Sequence, residues 1–271
     1  MSLRFDPGHW ALILGGSSGF GLATAGKLAR HGMNVAVVHR DRKGAMGAIQ
    51  PRFDEIREAG VGFVSWNLDA LSAEGRATVL HDLATRMGEA GRVRLLLHSI
   101  AFGNLKPLAA PPGAAGDDVG VLEEEDFART VHAMGTSLAG WTQDVFARRL
   151  FAADARVIGM TSEGNEIAWR GYAAVAAAKC ALESVSRAIA VELGPYGIRS
   201  NVVQAGVTDT PALRLIPGSE RMKEAASAKN PLGRLTTPAD VADFICLLCT
   251  DEARWVNGAL LRVDGGEHIA G

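Results

Sequence analysis

The sequence predicts a doubly wound α/β fold in one domain spanning residues 1–271, with seven parallel strands in one sheet and helices on both faces. Two observations carry this. Short apolar runs alternate with amphipathic stretches along the chain, the pattern of strand–helix–strand units and a parallel sheet. The first apolar run ends in a glycine turn that opens a helix, the place where such a sheet takes its ligands. The 271 residues suffice for one large domain with a sizeable core. A content of 48% apolar against 21% charged residues argues against disorder. The sequence shows no repeat and no linker.

Taken in order, Trp10–Leu14 forms the first strand, and Gly15-Gly-Ser-Ser-Gly-Phe-Gly21 leads into a helix from Leu22 to His31. In this strand–turn–helix setting the glycines let the backbone approach a pyrophosphate, and the helix N-terminus favours its charge. Gly15, Ser17, Ser18, Gly19, Phe20 and Gly21 are therefore candidate dinucleotide contacts in a Rossmann-type fold. Asn34–Val38 is the second strand, followed by His39-Arg-Asp-Arg42. An acid at this strand end would bond the ribose diol of NAD. Arg40 and Arg42 instead match a 2′-phosphate, so NADPH is expected over NADH, with Asp41 the contrary signal.

Phe53–Ala59 reads as a helix and Gly62–Trp66 as the third strand, leaving Asn67 and Leu68 where an adenine would rest. Ala73–Gly88 is helical. Arg94–His98 is the fourth strand, running into Ser99 and Ile100. Residues 104–121 hold Pro107, Pro111, Pro112 and the pair Asp117 and Asp118, and form a long loop that either borders the site or is a surface insertion. Glu123 opens a helix expected to reach about Phe151, its acids well placed near the N-terminus. Ala155–Met160 is the fifth strand, with Ser162 just beyond it. Ile198–Ala205 is the sixth and Ala259–Val263 the seventh. Between these two, residues 206–233 form a flap suited to closing over a substrate, and Pro238 begins the last main helix.

Tyr172-Ala-Ala-Val-Ala-Ala-Ala-Lys179 places a phenol and an amine on one stripe of a helix predicted to run from Tyr172 to Leu193. A phenol beside an ammonium ionises more easily, which suits a proton donor to a developing oxyanion. Net charge is −2, which leaves no electrostatic footprint for nucleic acid. No apolar run reaches the roughly 18 residues of a membrane span. The N-terminus has no signal-peptide core, so a cytoplasmic protein is expected. Cys246 and Cys249 form C-x-x-C within a helix that reads as buried, so they are assigned to the core with no metal site.

These motifs together resemble the short-chain dehydrogenase/reductase superfamily over nearly the whole chain: Gly15–Gly21, His98-Ser-Ile-Ala, the set Ser162, Tyr172 and Lys179, Arg199-Ser-Asn, Thr208-Asp-Thr210 and Val263-Asp-Gly-Gly. Most members carry the catalytic Tyr where this chain has Val175, and an Asn where it has Met134. The Tyr-x6-Lys spacing and His98-Ser-Ile-Ala-Phe are similar instead to the enoyl-[acyl-carrier-protein] reductases, and Asp209-Thr-Pro-Ala-Leu and Asn230-Pro-Leu-Gly-Arg to their type III branch. Where many of those enzymes have an additional Tyr, this chain has Ser162.

The resemblance implies reduction of a 2-enoyl thioester in fatty acid biosynthesis, with Tyr172, Lys179 and Ser162 at the reacting centre. It implies Ser99, Ile100, Gly206, Thr208 and Thr210 as further cofactor contacts, acyl-carrier protein as the thioester carrier, and a homotetramer packed through the helices at 123–151 and 172–193. Arg214, Arg221 and Lys223 are the candidate basic patch for the carrier. Two alternatives stay open: a carbonyl reductase or alcohol dehydrogenase, and an inactive nucleotide-binding regulator.

Overall fold

The computed structural model describes residues 3–110 and 120–270. Seven strands, β1 (His9–Leu14), β2 (Asn34–His39), β3 (Phe63–Asn67), β4 (Arg92–His98), β5 (Phe151–Thr161), β6 (Ile198–Ala205) and β7 (Leu260–Val263), lie in the order β3-β2-β1-β4-β5-β6-β7. Every neighbouring pair is parallel. The order reverses at β1, so the carboxyl ends of β1 and β4 open a crevice at the topological switch point.

The helices are α1 (Gly19–Arg30), α2 (Met46–Arg57), α3 (Ala73–Met87), α4 (Glu124–Val131), α5 (Ser137–Ala147), α6 (Ala173–Glu192), α7 (Ser219–Lys229) and α8 (Pro238–Leu248). Side chains alternate along β1 to feed both layers. Leu12 and Leu14 join the cluster that includes Trp141 and Leu182 of α5 and α6, while Ala11 and Ile13 join Leu28 and Ile245 of α1 and α8. Burial on both faces explains why the strands read as continuous apolar runs. Cys246 and Cys249 are buried in the second cluster, and burial pushes the Cys249 thiol up to about 12. Among the described residues no helix is long and apolar enough to cross a membrane.

Two elements differ from expectation. The long helix after Glu123 is continuous from α4 to α5 but carries a π turn at His132–Thr136. The turn lies against α6: a Cβ on Gly135 would meet the Ala178 carbonyl at 2.7 Å, so the two helices approach closely here. The helix also stops at Ala147, because Arg149 takes a positive φ of 56° and Phe151 already pairs with Val93. The second difference is α2, which begins at Met46 and carries Pro51 inside it. Burial of Phe53 and Ile56 outweighs the proline, which a sequence reading takes as a helix start.

Toward the N-terminal ends of the central strands, at the opposite end of the sheet from the crevice, Asp154 holds Arg94 and Arg156 at 2.7 and 2.6 Å and also pairs with Arg199. The two buried guanidiniums donate as well to the Cys249 and Leu248 carbonyls at the end of α8. Burial pushes the Asp154 carboxyl up, and the arginines more than offset this, leaving it below its ordinary value. Asp154→Ala should therefore cost about 3–5 kcal/mol, because it leaves buried cations short of their partner. Thermal unfolding should show a midpoint lower by roughly 10 °C; a shift within error would contradict this. The ion pair's contribution is present above the unfolded carboxylate pKa and is lost as pH falls through the depressed folded value.

Candidate active site

The glycine turn is shaped by close contact. A Cβ on Gly15 would meet the Ser99 carbonyl at 2.5 Å, and one on Gly21 would meet the Gly15 carbonyl at 2.3 Å. The turn after β1 thus lies against the end of β4, which brings Ser99 and Ile100 to the same cradle. Ser18 caps α1 through extended backbone without a side-chain bond, and no acid occupies the first turn. The helix N–H groups are left for an anion, so the cradle fits a pyrophosphate. Thr210 closes the other wall, its Cγ2 at 3.6 Å from a Cβ built on Gly19. Thr208 donates to the Gly206 carbonyl at 2.9 Å, and Thr210 accepts from Leu213 N at 3.2 Å, which shapes the 206–210 loop.

At the end of β2, His39 is buried edge-on to Phe53, and its Nδ1 lies 2.8 Å from Asp41 Oδ2. Asn67 accepts from Asp41 N and donates to Asp41 O, both at 2.9 Å, which fixes its amide against the loop after β2. Leu68 is half-buried beside it. Arg40 is 67% exposed and touches Asp69 only at 3.4 Å, and Arg42 is exposed.

At the far side of the crevice Tyr172 stands at the N-cap of α6, just outside the helix it was expected to begin, and Gly171 before it takes a positive φ of 72°. Its ring rests on Gly164, where a Cβ would come within 2.4 Å, and its hydroxyl lies 3.4 Å from Ser162 Oγ. Lys179 is buried and donates to the Met160 carbonyl at 2.7 Å. Burial pushes the lysine down to about 8, with Glu183 opposing.

The expectation that Lys179 would ease ionisation of Tyr172 is not met. Burial raises the phenol above its ordinary value, and only the Ser162 bond pulls it the other way. Desolvation wins over charge here, because the amine is turned onto β5. Met134 and Val175 pack together in one apolar cluster with Ala133 and Ala178, and Leu105 and Tyr172 line it.

Glu183 escaped the sequence reading, and so did the part played by His98, which was read only as part of a strand-end motif. Glu183 takes Thr161 Oγ1 at 2.7 Å and Asn165 Nδ2 at 2.5 Å; its place four residues after Lys179 was the available signal. Buried His98 sets Nε2 2.8 Å from Ser137 Oγ, which donates to the Ala133 carbonyl of the π turn. Burial, then the Lys179 charge, pushes its pKa down to about 3, so it is a neutral imidazole. Of the proposed carrier patch, Arg214 pairs with Asp209 at 2.8 Å, and Lys223 with Glu220 at 2.8 Å and Asp209 at 3.7 Å. These cations are internally neutralised, and Arg221 remains.

A cradle for a pyrophosphate facing a phenol and a buried amine is the arrangement of a dinucleotide-dependent oxidoreductase. The family model described as enoyl-(acyl carrier protein) reductase matches residues 15–268, and the chain belongs to the short-chain dehydrogenase/reductase superfamily, whose cofactors are NAD(P)(H). It is 30% identical to cyclohexanol dehydrogenase of Rhodococcus sp. (strain TK6), with 96% of each chain covered. It is also 30% identical to 1-cyclohexenylcarbonyl-CoA reductase of Streptomyces collinus, covering 96% of this chain and 86% of that one. The structure of enoyl-[acyl-carrier-protein] reductase (NADH) from Aquifex aeolicus VF5 superposes with a TM-score of 0.82 at 26% identity, covering 99% and 98% of the two chains.

Proposed function

We propose that this protein reduces the 2,3 double bond of a 2-enoyl thioester at the expense of NADPH. The observation that carries this is the placing of Met134 and Val175 in one buried apolar cluster beside Tyr172. At the two positions where most of the superfamily holds an Asn and the catalytic Tyr, this chain builds an apolar wall, and its site phenol stands one helical turn earlier. When bound, the nicotinamide supplies the hydride, which adds to the β-carbon and leaves negative charge on the thioester oxygen, further from the hydride donor than a ketone oxygen would be. A shift of three residues, about 4.5 Å of helical rise, moves the phenol by a distance of that kind.

Tyr172, kept protonated by burial, donates a hydrogen bond to the enolate oxygen, and the α-carbon takes its proton through solvent or Tyr172. Lys179 holds the nicotinamide ribose. Ser162 orients the phenol and the thioester. The apolar wall of Met134, Val175 and Leu105 faces the acyl chain. The names of the relatives support reduction of a conjugated thioester in one case and oxidation of an alcohol in another. The second reading, an alcohol dehydrogenase, is favoured by the cyclohexanol enzyme. Acyl-carrier protein is the carrier that the family description favours, and a cytoplasmic homotetramer packed through α4, α5 and α6 completes the proposal.

The decisive experiment follows reduced-nicotinamide absorbance with a short 2-enoyl thioester and, separately, a 3-oxoacyl thioester, and the reverse reaction with cyclohexanol. Oxidation of NADPH with the enoyl substrate alone is expected. Activity with only the 3-oxo thioester or the alcohol would overturn the proposal.

The preference for NADPH is supported by the His39 ring, which occupies the Asp41 carboxylate and leaves Arg40 and Arg42 for a 2′-phosphate. The double change Arg40→Ala, Arg42→Ala should raise KM for NADPH about 10-fold or more, the size of one or two charge-assisted hydrogen bonds. KM for NADH should move much less. Equal effects on both cofactors would contradict the assignment.

A further inference from the structure

The last turn of the chain, Glu267–Ile269, carries a buried carboxyl that the proposed chemistry does not use. Glu267 is 2% exposed. Its carboxylate oxygens accept the Val207 N–H at 3.1 and 3.3 Å. A Cβ on Gly206 would approach Glu267 Oε2 to 2.8 Å and Thr236 Oγ1 to 2.5 Å, so the acid lies directly against the backbone of the 206–210 loop.

The turn that presents Glu267 is itself braced. Asp264 accepts from Gly266 N and His268 N, both at 3.0 Å, and its carbonyl accepts from Asn230 Nδ2 at 2.8 Å. On its other side, Glu166 takes Arg262 Nη2 at 2.9 Å and lies 3.6 Å from His268 Nε2. Glu166 belongs to the loop that starts at Ser162. One short C-terminal segment therefore touches both loops that border the crevice.

A carboxyl here is costly. Burial raises its pKa, the Val207 bond lowers it, Glu163 and Asp264 raise it, and Lys229 lowers it. An apolar side chain would fill the space but leave a loop N–H without its acceptor.

We propose that Glu267 is a positioning residue: it holds the 206–210 loop in its cofactor-binding shape and joins that loop to the Ser162 loop through the Asp264–His268 turn. The proposal rests on the reading of the 206–210 loop as a cofactor contact. Because Thr210 of that loop lies against Gly19, slackening at Val207 reaches the pyrophosphate cradle.

The test titrates the full chain with NADPH and with NADH by protein fluorescence, for the unsubstituted protein and for Glu267→Ala, Glu267→Gln and Asp264→Ala. Thermal unfolding and limited trypsin cleavage within 206–233 are measured alongside. Glu267→Ala should weaken NADPH binding about 10-fold, the effect of one lost buried hydrogen bond, and cleavage at Arg214 or Arg221 should quicken. Glu267→Gln should restore binding to within about 3-fold, because its amide oxygen still accepts from Val207. Asp264→Ala, which loosens the turn and leaves the carboxyl in place, should weaken binding by a smaller factor.

Binding and cleavage unchanged in Glu267→Ala, or Glu267→Gln as impaired as the alanine variant, would overturn the proposal. If Glu267→Ala does not fold, unchanged binding in Asp264→Ala overturns it. Failure of the unsubstituted protein to bind either cofactor would instead remove the reading of the loop itself, while the cleavage rates still report whether Glu267 holds it.

Discussion

Tyr172→Phe is expected to lower kcat by about 100- to 1000-fold, the usual cost of removing one donor to a developing oxyanion. Affinity for NADPH should change by less than about 2-fold, a shift worth well under one hydrogen bond. The separation follows from where the residue sits. Its ring packs on Gly164 and against the Met134–Val175 wall, and phenylalanine preserves that packing. Only the hydroxyl goes, and its partner in the protein is Ser162 at a long 3.4 Å. The fold should therefore lose little, while the enolate oxygen of the proposed reaction would lose its hydrogen-bond donor. Steady-state kinetics with a 2-enoyl thioester, together with a direct cofactor titration, measure both halves. Retained turnover would remove Tyr172 from the chemistry.

Lys179→Met is expected to abolish turnover and to stabilise the protein. Lys179 is pushed from 10.5 down to about 8 by burial. Between those values the unfolded chain binds a proton that the folded chain does not, so stability rises with pH across that window. Below about pH 8 the folded state carries the whole penalty of a buried ammonium, on the order of 3 kcal/mol. Methionine fills a similar volume without the charge. Because the substitution also removes the bond to the Met160 carbonyl, a net gain of about 1–2 kcal/mol is expected at neutral pH. The unfolding midpoint should rise by a few degrees. In the unsubstituted enzyme kcat/KM should fall as pH rises through about 8, where the free protein loses this charge. A lower midpoint for Lys179→Met at neutral pH would contradict the account of a buried, strained cation.

What the sequence disclosed was local. The glycine turn was legible because each glycine answers to a nearby backbone atom: Gly15 to Ser99, and Gly21 to Gly15. The strands were legible because burial on both faces makes them uniformly apolar. The π turn was hidden, since it lies where Ala178 of α6 approaches Gly135, a contact between two helices that no local spacing reports. His98 and Ser137 meet from different layers, 39 residues apart, and Glu267 reaches Val207 across 60. No periodicity reports such contacts.

Tyr172 was singled out by its spacing from Lys179, but its ionisation was misjudged, because spacing gives a shared stripe and not the direction of the amine. Lys179 turns to Met160, and burial decides the phenol's pKa. Arg214 and Lys223 read as a free basic patch because the sequence does not show that both fold onto Asp209. Asp117 and Asp118, in the loop assigned to residues 104–121, lie outside the described residues.

The most direct measurement follows the hydride itself. The protein is incubated with a 2-enoyl thioester and NADPH carrying deuterium at the transferable C4 position, and the product is examined by NMR. The account predicts a saturated thioester with deuterium on its β-carbon, and loss of that label transfer in Tyr172→Phe. Deuterium found instead on a carbinol carbon, from a 3-oxo thioester under the same conditions and with the enoyl substrate untouched, would show that the displaced phenol serves carbonyl reduction and would contradict the assignment.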